Sequence, residues 1–431
     1  MRLSIKESLK MTLIYDVVVI GAGASGCSCA WNCAKIGLKT LLVEKNIHAG
    51  GLITSGLVVP AMKLNHKNIN VDFFNNLFQF SKEKNASITY CDNNSAWFNP
   101  HLLKSVFDTM LTSVGVDILY NTIFDDVEYK CEKFFIKLQS DILSIPVETR
   151  YLVDATGNGK IFQKLNLEFL TDTLENQSKS LRFILSNVNC EKFVDWISNF
   201  DSDRNVTTYC KIGQDSHFST AYTWDCPDKW ALAPYFKQAI SDGVLKDTDS
   251  AYFQMFTIAN MPTSVAFNCP KLLLSDLSDN NPLFTESKLI IEGRERINRL
   301  TEFCKKYLKG FENAYISDIS DMLGVRESCR IKGKKIFSVY DIENAIIPEN
   351  IALASDYPID IHSDKKNCCE LKYTKHTWYL PLEALISEKY DNLFAIGRCL
   401  SAEFKAQAAV RTQINCFSMG EAVAKHIKSI I

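Results

Sequence analysis

Residues 15–26, Tyr-Asp-Val-Val-Val-Ile-Gly-Ala-Gly-Ala-Ser-Gly, are the stretch that decides the fold. Their apolar half is typical of a buried parallel strand, and it leads directly into glycines spaced Gly-x-Gly-x-x-Gly. A helical stretch follows from Ala24 to Ile36 and is closed by Gly37, while residues 39–44 have the pattern of a second strand. The order strand, glycine turn, helix, strand predicts a nucleotide-binding βαβ unit.

Each glycine of the turn has a predicted physical task. We expect Gly21 to permit the tight turn, Gly23 to let the backbone approach a pyrophosphate, and Gly26 to let the helix pack close to the strand. The start of the helix offers free N–H groups and a positive dipole end to phosphate oxygens. The residues predicted to bind phosphate through this turn are Gly21, Ala22, Gly23, Ala24, Ser25 and Gly26.

An acidic residue ends the second predicted strand. Glu44 lies 23 residues after Gly21 (44 − 21), where a carboxylate can accept hydrogen bonds from ribose hydroxyl groups. Lys45 follows it and is included in the predicted nucleotide site. The pattern therefore predicts that a dinucleotide is bound, without yet deciding which one.

Three later glycine segments favour FAD over NAD. Gly50 and Gly51 follow the second strand, Ala155-Thr156-Gly157 closes another predicted strand, and Gly397-Arg398 closes a late one. Backbone at glycine can pass close to a pyrophosphate or a flavin, and an NAD dehydrogenase needs none of these segments. We include further cofactor-binding positions on a middle strand and near the C-terminus, namely Val127 and Arg411.

The rest of the chain alternates strands and helices at its two ends but not in its middle. Residues 161–318 are rich in aromatic side chains and match no motif, whereas residues 393–396 return to strand character and 402–427 predict one closing helix. We therefore predict an α/β protein with a Rossmann-type, mostly parallel nucleotide-binding domain. Residues 1–160 and 319–431 form that domain, and residues 161–318 form an inserted α+β substrate domain.

Composition narrows the class of protein. The chain is 46% hydrophobic and 23% charged with a formal net charge of −2, which is typical of a globular enzyme. No dense run of Lys and Arg predicts a nucleic-acid partner, and no run of roughly 18 apolar residues predicts a membrane helix. We expect a small-molecule substrate and leave the oligomeric state open.

Cysteine usage favours a reducing compartment. There are 15 cysteines without a repeating spacing and no secretory leader in residues 1–14, so we predict free thiols in a cytoplasmic protein. No Cys-x-x-Cys motif occurs and the seven histidines are scattered, so no metal site is predicted. The vicinal pair Cys368-Cys369 leaves a thiol-redox role open, and His48 before Gly50 leaves covalent attachment of a flavin open.

Motifs along nearly the whole chain resemble the FAD-dependent oxidoreductase family, which is more distantly related to fumarate-reductase-like flavoproteins. The resemblance is carried by Gly50-Gly-Leu-Ile-Thr-Ser-Gly56, Asp154-Ala-Thr-Gly-Asn-Gly159, Leu323-Gly-Val-Arg-Glu-Ser-Cys-Arg330 and Asn392-Leu-Phe-Ala-Ile-Gly-Arg-Cys-Leu-Ser-Ala402. It implies the fold and FAD as the cofactor. It does not imply the reaction, because members of the family act on diverse substrates.

Three residues are candidates for catalysis on a flavin. Arg326 and Glu327 are suited to orienting a substrate or serving as a base, with a structural ion pair as the equal alternative. His362 is suited to acid–base chemistry, with a structural histidine as the alternative. Arg398 and Arg411 can supply positive charge near the flavin.

Two other functions remain open beside oxidation or desaturation of a small organic substrate. A flavin monooxygenase would use reduced FAD and oxygen, although Arg398 stands where aromatic hydroxylases commonly carry Asp and no Trp-x-Trp-x-Ile-Pro signature of a halogenase occurs. A non-catalytic protein stabilised by flavin is the third possibility. The segment around Arg326 and Glu327 argues against that possibility.

Overall fold

The computed structural model describes residues 12–64, 69–171, 176–223, 227–277, 281, 283–364 and 369–431. Its strands are β1 Leu13–Ile20, β2 Thr40–Val43, β3 Ser87–Ile88, β4 Trp97–Phe98, β5 Asp117–Leu119, β6 Ile123–Lys130, β7 Lys133–Gln139, β8 Ser144–Asp154, β9 Lys179–Ser180, β10 Phe183–Ser186, β11 Thr207–Ile212, β12 Asp215–Tyr222, β13 Phe253–Ile258, β14 Met261–Phe267, β15 Lys271–Leu272, β16 Tyr315–Ile319, β17 Ile351–Ser355, β18 Ile359–Ile361, β19 Glu370–Lys372, β20 Trp378–Pro381 and β21 Leu393–Ala395. Its helices are α1 Ala24–Lys35, α2 Asp72–Glu83, α3 Pro100–Ser113, α4 Lys160–Lys164, α5 Cys190–Ile197, α6 Ala233–Ser241, α7 Thr285–Tyr307, α8 Val339–Glu343, α9 Phe404–Val410 and α10 Gln413–Ser429.

The first sheet has the predicted nucleotide-binding topology. Its strands lie in the order β5-β2-β1-β8-β7-β6, and β21 pairs with the C-terminal end of β8. β5, β2, β1, β8 and β21 run parallel, while β6, β7 and β8 form an antiparallel meander. Val17, Val18 and Val19 on the central strand are fully buried, as a parallel strand covered on both faces requires. The predicted Rossmann-type α/β fold is confirmed.

Both ends of the chain share one core. β21 extends the parallel sheet, and α10 packs against α1 so closely that a Cβ added at Gly420 would lie 2.2 Å from the carbonyl oxygen of Ser25. The Ser28 hydroxyl also donates a hydrogen bond of 2.6 Å to the carbonyl oxygen of Phe417. These contacts join residues that are far apart in the sequence, and they show that the first helix and the last helix pack together in one layer.

A second sheet is built from the middle of the chain. Its six strands are antiparallel and lie in the order β11-β12-β13-β14-β10-β16. Aromatic side chains from this sheet and from α5, α6 and α7 form a separate core, which includes Phe183, Phe193, Phe218, Phe236, Phe253, Phe267 and Phe303. The aromatic residues noted in the sequence are therefore mostly core. The domain boundaries at residues 160 and 318 stay a prediction.

The closing helix differs from the prediction. One helix was expected over residues 402–427, but the structure has α9 and α10 with a break at Arg411 and Thr412. Thr412 is extended (φ −66°, ψ 154°), and the Arg411 side chain bonds to Asp360 instead of following the helix surface. The break gives α10 a free N-terminus. β8, the strand closed by Ala155-Thr156-Gly157, begins as early as Ser144, and its first half pairs with β7.

Two further observations concern the helices and the cysteines of the described residues. No helix of the described chain has the length and apolar character needed to cross a membrane. The cysteines described there are all unpaired by disulfides. Of the vicinal pair, Cys368 lies outside the described residues.

Candidate active site

A cavity of about 1030 Å³ is lined by residues of both sheets. Ligand pockets commonly measure about 300–1,000 Å³, so this volume suits a large cofactor together with a small substrate. Most of the predicted site residues line it, namely Gly21, Gly23, Ala24, Ser25, Glu44, Lys45, Gly50, Gly51, Ala155, Thr156, Gly157, Arg326, His362, Gly397, Arg398 and Arg411. The sequence motifs therefore converge on one place in the fold.

The three glycines of the turn differ in backbone conformation and in the space around them. Gly21 has a positive φ of 104°, and a Cβ at Gly26 would lie only 1.9 Å from the Gly21 carbonyl oxygen. Gly26 thus serves close packing and lies outside the cavity lining. A Cβ at Gly23 would meet no protein atom within 4 Å, so this backbone borders open space at the start of α1. A phosphate fits such a cradle, since helix N-termini bind anions.

Glu44 is fixed at the end of β2 by three hydrogen bonds. Its carboxylate accepts from the backbone N–H of Ala22 (2.8 Å) and from the backbone and side chain of Asn46 (2.9 and 2.8 Å). The Ala22 N–H is therefore used to hold Glu44, and Ala22 itself is not on the cavity lining. The buried carboxylate retains lone pairs for ribose hydroxyl groups.

Gly50 and Gly51 bring a second stretch of backbone beside the glycine turn. Both have positive φ (101° and 55°), and Gly50 bridges to Gly23 and donates its N–H to the Ala22 carbonyl oxygen at 2.8 Å. Residues with a side chain rarely adopt a positive φ, which explains why both positions are glycine. The two glycine segments together form one continuous backbone surface on the cavity.

The turn after β8 is held by a buried carboxylate. Asp154 accepts hydrogen bonds from the Thr156 N–H (3.1 Å), the Thr156 hydroxyl (2.7 Å) and the Ile161 N–H (2.8 Å). Complete burial nevertheless raises its pKa above the usual value. These bonds place Ala155, Thr156 and Gly157 at the C-terminal edge of the parallel sheet, where ligands bind in open α/β sheets.

Arg398 ties three segments together at the cavity. Its guanidinium donates to the carbonyl oxygens of Gly157 (3.0 Å) and Val325 (2.6 Å) and to the Asn158 side chain (2.8 Å). Burial lowers the pKa of this arginine. Its contacts fix the segment before Arg326 against the nucleotide-binding sheet.

These residues fit FAD. Glu44 and Lys45 would hold the adenosine half, and the turn at Gly23 would hold the pyrophosphate. The flavin end would meet Gly50, Gly51, Gly397 and the start of α10. There the Thr412 hydroxyl and the side-chain amide oxygen of Gln413 are buried without a hydrogen-bond partner among the described residues. Buried polar atoms of this kind are costly unless a ligand satisfies them.

The structure separates three sequence candidates from the cavity. Val127 on β6 is buried in a hydrophobic core and is not on the cavity lining, whereas Ile123 and Phe124 of the same strand line the cavity. The Glu327 carboxylate accepts the Gln177 N–H at 2.6 Å and does not line the cavity; burial raises its pKa. The His48 ring bonds to the Ser55 hydroxyl at 2.7 Å and is also off the lining.

Three arginines of the cavity lining lie close enough to interact electrostatically. Arg326 donates to the Ser178 carbonyl oxygen (2.8 Å), Arg182 donates to Asn268 (2.7 Å), and Arg411 bonds to the Asp360 carboxylate (3.0 Å). Burial and the charge of Arg326, with a smaller effect of Arg411, lower the pKa of Arg182 to about 9. Arg182 was missed by sequence reasoning because it precedes β10 in a region without motifs.

Beside the arginines lies a chain of three buried side chains. The Cys369 sulfur is 3.1 Å from Nδ1 of His362, and Nε2 of His362 is 3.4 Å from the Asp360 carboxylate. Burial, followed by the charge of Arg326, lowers the pKa of His362 to about 3. Burial alone would raise the pKa of Asp360, but His362 and Arg411 hold it below the usual value. The imidazole is therefore neutral near neutral pH.

The Rossmann-type sheet, the paired glycine cradles and the cavity that they line define an FAD-binding flavoprotein. The chain belongs to the family described as FAD dependent oxidoreductase, which matches residues 16–428. The predicted family, cofactor and enzyme class are thereby confirmed.

Similarity to individual proteins is local in sequence. A mitochondrial glycerol-3-phosphate dehydrogenase of Rattus norvegicus is 50% identical over 44 residues, which are 10% of this chain and 6% of that one. A thiamine thiazole synthase of Aeropyrum pernix is 48% identical over 45 residues, 10% of this chain and 17% of that one. The chain thus matches less than a fifth of the length of these relatives.

A geranylgeranyl bacteriochlorophyll reductase-like protein of Thermoplasma acidophilum covers 97% of this chain and 79% of its own, with 11% identity and a TM-score of 0.47.

Proposed function

We propose that this enzyme oxidises or desaturates a small organic acid by transfer of a hydride to FAD. The observation that carries the proposal is the group of three arginines, Arg182, Arg326 and Arg411, on the cavity lining beside His362. Bound FAD would supply the oxidising group. The residues of the chain would bind the acid, orient it and receive its proton.

Charge supports an anionic substrate. Burial and the charge of Arg326 lower the pKa of Arg182, and burial and the charge of Arg411 lower the pKa of Arg326. Asp360 is the carboxylate that faces this group, and it is already bonded to Arg411. A substrate carboxylate would offset the remaining repulsion, and the planar guanidinium of Arg326 suits bidentate binding.

Proton transfer is assigned to His362. Its neutral imidazole can accept a proton, and the Asp360 carboxylate at 3.4 Å would stabilise the resulting imidazolium. A substrate carboxylate on Arg326 would also reduce the repulsion that keeps the pKa of His362 low. Glu327 is not assigned as the base, because its carboxylate is turned toward Gln177.

Flavin bleaching without oxygen tests the proposal. Purified holoenzyme is mixed anaerobically with a panel of hydroxy acids, amino acids and saturated acids, each paired with its methyl ester. We expect one class of acid to bleach the visible flavin band while its ester does not. Equal bleaching by an acid and its ester would contradict carboxylate recognition. A flavin reduced only by NADPH and reoxidised with hydroxylation of a substrate would identify a monooxygenase instead.

A further inference from the structure

Cys369 has an arrangement that the proposed function does not use. Its thiol lies 3.1 Å from Nδ1 of His362, whose Nε2 faces Asp360 at 3.4 Å, and all three residues line the cavity. This is the order of nucleophile, base and orienting carboxylate that activates a thiol or hydroxyl group. Asp360 is held in turn by Arg411 at 3.0 Å.

Both ring nitrogens of His362 are engaged. A substrate can therefore exchange a proton with the imidazole only through Asp360 or through Cys369. Asp360 is occupied by Arg411, and the Tyr357 hydroxyl also lies 3.5 Å from its carboxylate. Cys369 also lines the cavity, and among the described residues its thiol has a hydrogen-bond contact with His362 alone.

The charges around Cys369 favour a thiol chain over a cation site. Donor atoms of Asp360, His362 and Cys369 lie within 4.8 Å of one another, but the charges facing the sulfur are Asp360 together with Arg326, Lys271 and Arg411. Three positive groups disfavour a metal cation. Burial raises the pKa of Cys369 to about 12, so the resting pair is a thiol and a neutral imidazole.

We propose that Cys369 is a catalytic residue whose thiol contacts the reacting group of the carboxylate substrate and relays the proton that the substrate loses to His362. This inference rests on the proposed function. In the relay an S–H bond forms with the substrate proton while the original S–H proton passes to Nδ1 of His362. One proton is lost by the substrate and one is gained by the imidazole, and the thiol is regenerated.

Alkylation with a charged and an uncharged reagent tests the assignment without a known substrate. Holoenzyme is treated with iodoacetate or iodoacetamide, and modification of each cysteine is followed by peptide mass spectrometry. At Cys369 an S–C bond forms, iodide leaves and the thiol proton passes to His362. Because the arginines attract the carboxylate, we expect the iodoacetate-to-iodoacetamide rate ratio at Cys369 to exceed that at exposed Cys131 by about tenfold or more.

Two variants test the anion site and the activation of the thiol independently. Arg326→Gln should reduce the rate ratio at Cys369 to that of Cys131. His362→Gln should slow both reagents at Cys369 and leave Cys131 unchanged, with retained FAD showing that the fold is intact. Alkylation that is slowed by His362→Gln but shows no carboxylate preference would support the thiol–imidazole pair and contradict the proposed acid substrate. A Cys369 that resists both reagents in wild-type holoenzyme, or one unaffected by His362→Gln, would overturn the assignment.

Discussion

The proposed substrate recognition depends on single arginines of the cavity lining. Arg326 is half-buried, and one N–H group of its guanidinium donates a hydrogen bond to the Ser178 carbonyl oxygen. An arginine offers five N–H donors, so the remaining donors are sufficient for a bidentate carboxylate. Lysine would keep the charge but not the planar pair of donors.

Arg326→Lys should therefore weaken substrate binding while FAD stays bound. Loss of one charge-assisted hydrogen bond costs about 2 kcal/mol, which is roughly thirtyfold in kcat/KM. The measurement is anaerobic flavin reduction at increasing acid concentration, with FAD content recorded in parallel. Loss of FAD or of folding in this variant would make Arg326 structural, and unchanged reduction would remove it from the active site.

The low pKa of His362 predicts a pH dependence of stability. The pKa of His362 is about 3 in the folded chain and the ordinary histidine value is 6.5, so below pH 6.5 the unfolded chain binds a proton that the folded chain does not. Stability is thus fully present above 6.5 and is lost as pH falls toward 3. Between about pH 7 and pH 5 this loss amounts to about 2 kcal/mol.

His362→Gln should remove that loss. We expect urea unfolding with excess FAD to show a fall in the free energy of unfolding between about pH 7 and pH 5 that is about 2 kcal/mol smaller than in wild type. His376→Gln, at an exposed histidine, is the matched control and should behave as wild type. An identical pH dependence in wild type and His362→Gln would show that His362 is not buried in its neutral form.

Residue types with a backbone role could be predicted from the sequence, whereas side-chain partners could not. Gly21, Gly23 and Glu44 were found because strand, turn and helix fix their positions locally. Arg182 reaches the same cavity from the second sheet, and no local pattern records that approach. The sequence likewise does not show that the Glu327 carboxylate accepts the Gln177 N–H, because these residues are 150 positions apart.

At the scale of elements, the strand–turn–helix unit of β1 and α1 separates a binding glycine from a packing glycine. A Cβ at Gly23 meets nothing within 4 Å, whereas a Cβ at Gly26 lies 1.9 Å from the Gly21 carbonyl oxygen. A side chain at Gly23 is therefore expected to impair cofactor binding, whereas a side chain at Gly26 is expected to impair folding.

Gly23→Val should fold but fail to hold the cofactor. Wild-type protein is expected to be yellow and to release FAD, not FMN, on denaturation. We expect the variant to keep the thermal stability of the apo-protein and to bind FAD at least about a hundredfold more weakly, roughly 3 kcal/mol. Gly26→Ala is the contrasting control and should destabilise the apo-protein by at least about 2 kcal/mol. Full FAD occupancy in Gly23→Val would show that the site is misplaced.

The break between α9 and α10 could not be predicted from the sequence. Helical periodicity continues through Arg411 and Thr412 without a proline or glycine, so the sequence predicts one helix. The tertiary bond from Arg411 to Asp360 and the extended Thr412 interrupt it. Thr412 is a residue type that starts helices, which is the one local signal available.

At the scale of the whole molecule, FAD should order both ends of the chain together. The cavity lining combines the turn after β1, Gly50 and Gly51 with Gly397 and the first turn of α10. The alternation of strands and helices at both ends of the chain predicted that the C-terminal segment returns to the nucleotide-binding domain. It did not predict how the six-stranded sheet faces the cofactor, because its strands pair over long sequence separations.

Hydrogen exchange with and without FAD measures this coupling. We expect FAD to slow amide exchange in the first turn of α1, at Gly50 and Gly51, and at residues 412–416, while the β11–β12 hairpin is unchanged. That hairpin lies outside the cavity lining and is the internal control. Protection confined to residues 1–160 would contradict a cofactor domain formed by both chain ends.

The most direct test is a crystal structure of the FAD-bound enzyme grown with a carboxylic acid that bleaches or perturbs its flavin. We predict that Glu44 contacts the ribose of the adenosine half, that the pyrophosphate lies at Gly23, and that the acid lies within hydrogen-bonding distance of Arg326. A carboxylate bound away from Arg182, Arg326 and Arg411, with these side chains paired to protein groups instead, would contradict the assignment of this cavity as an organic-acid oxidation site.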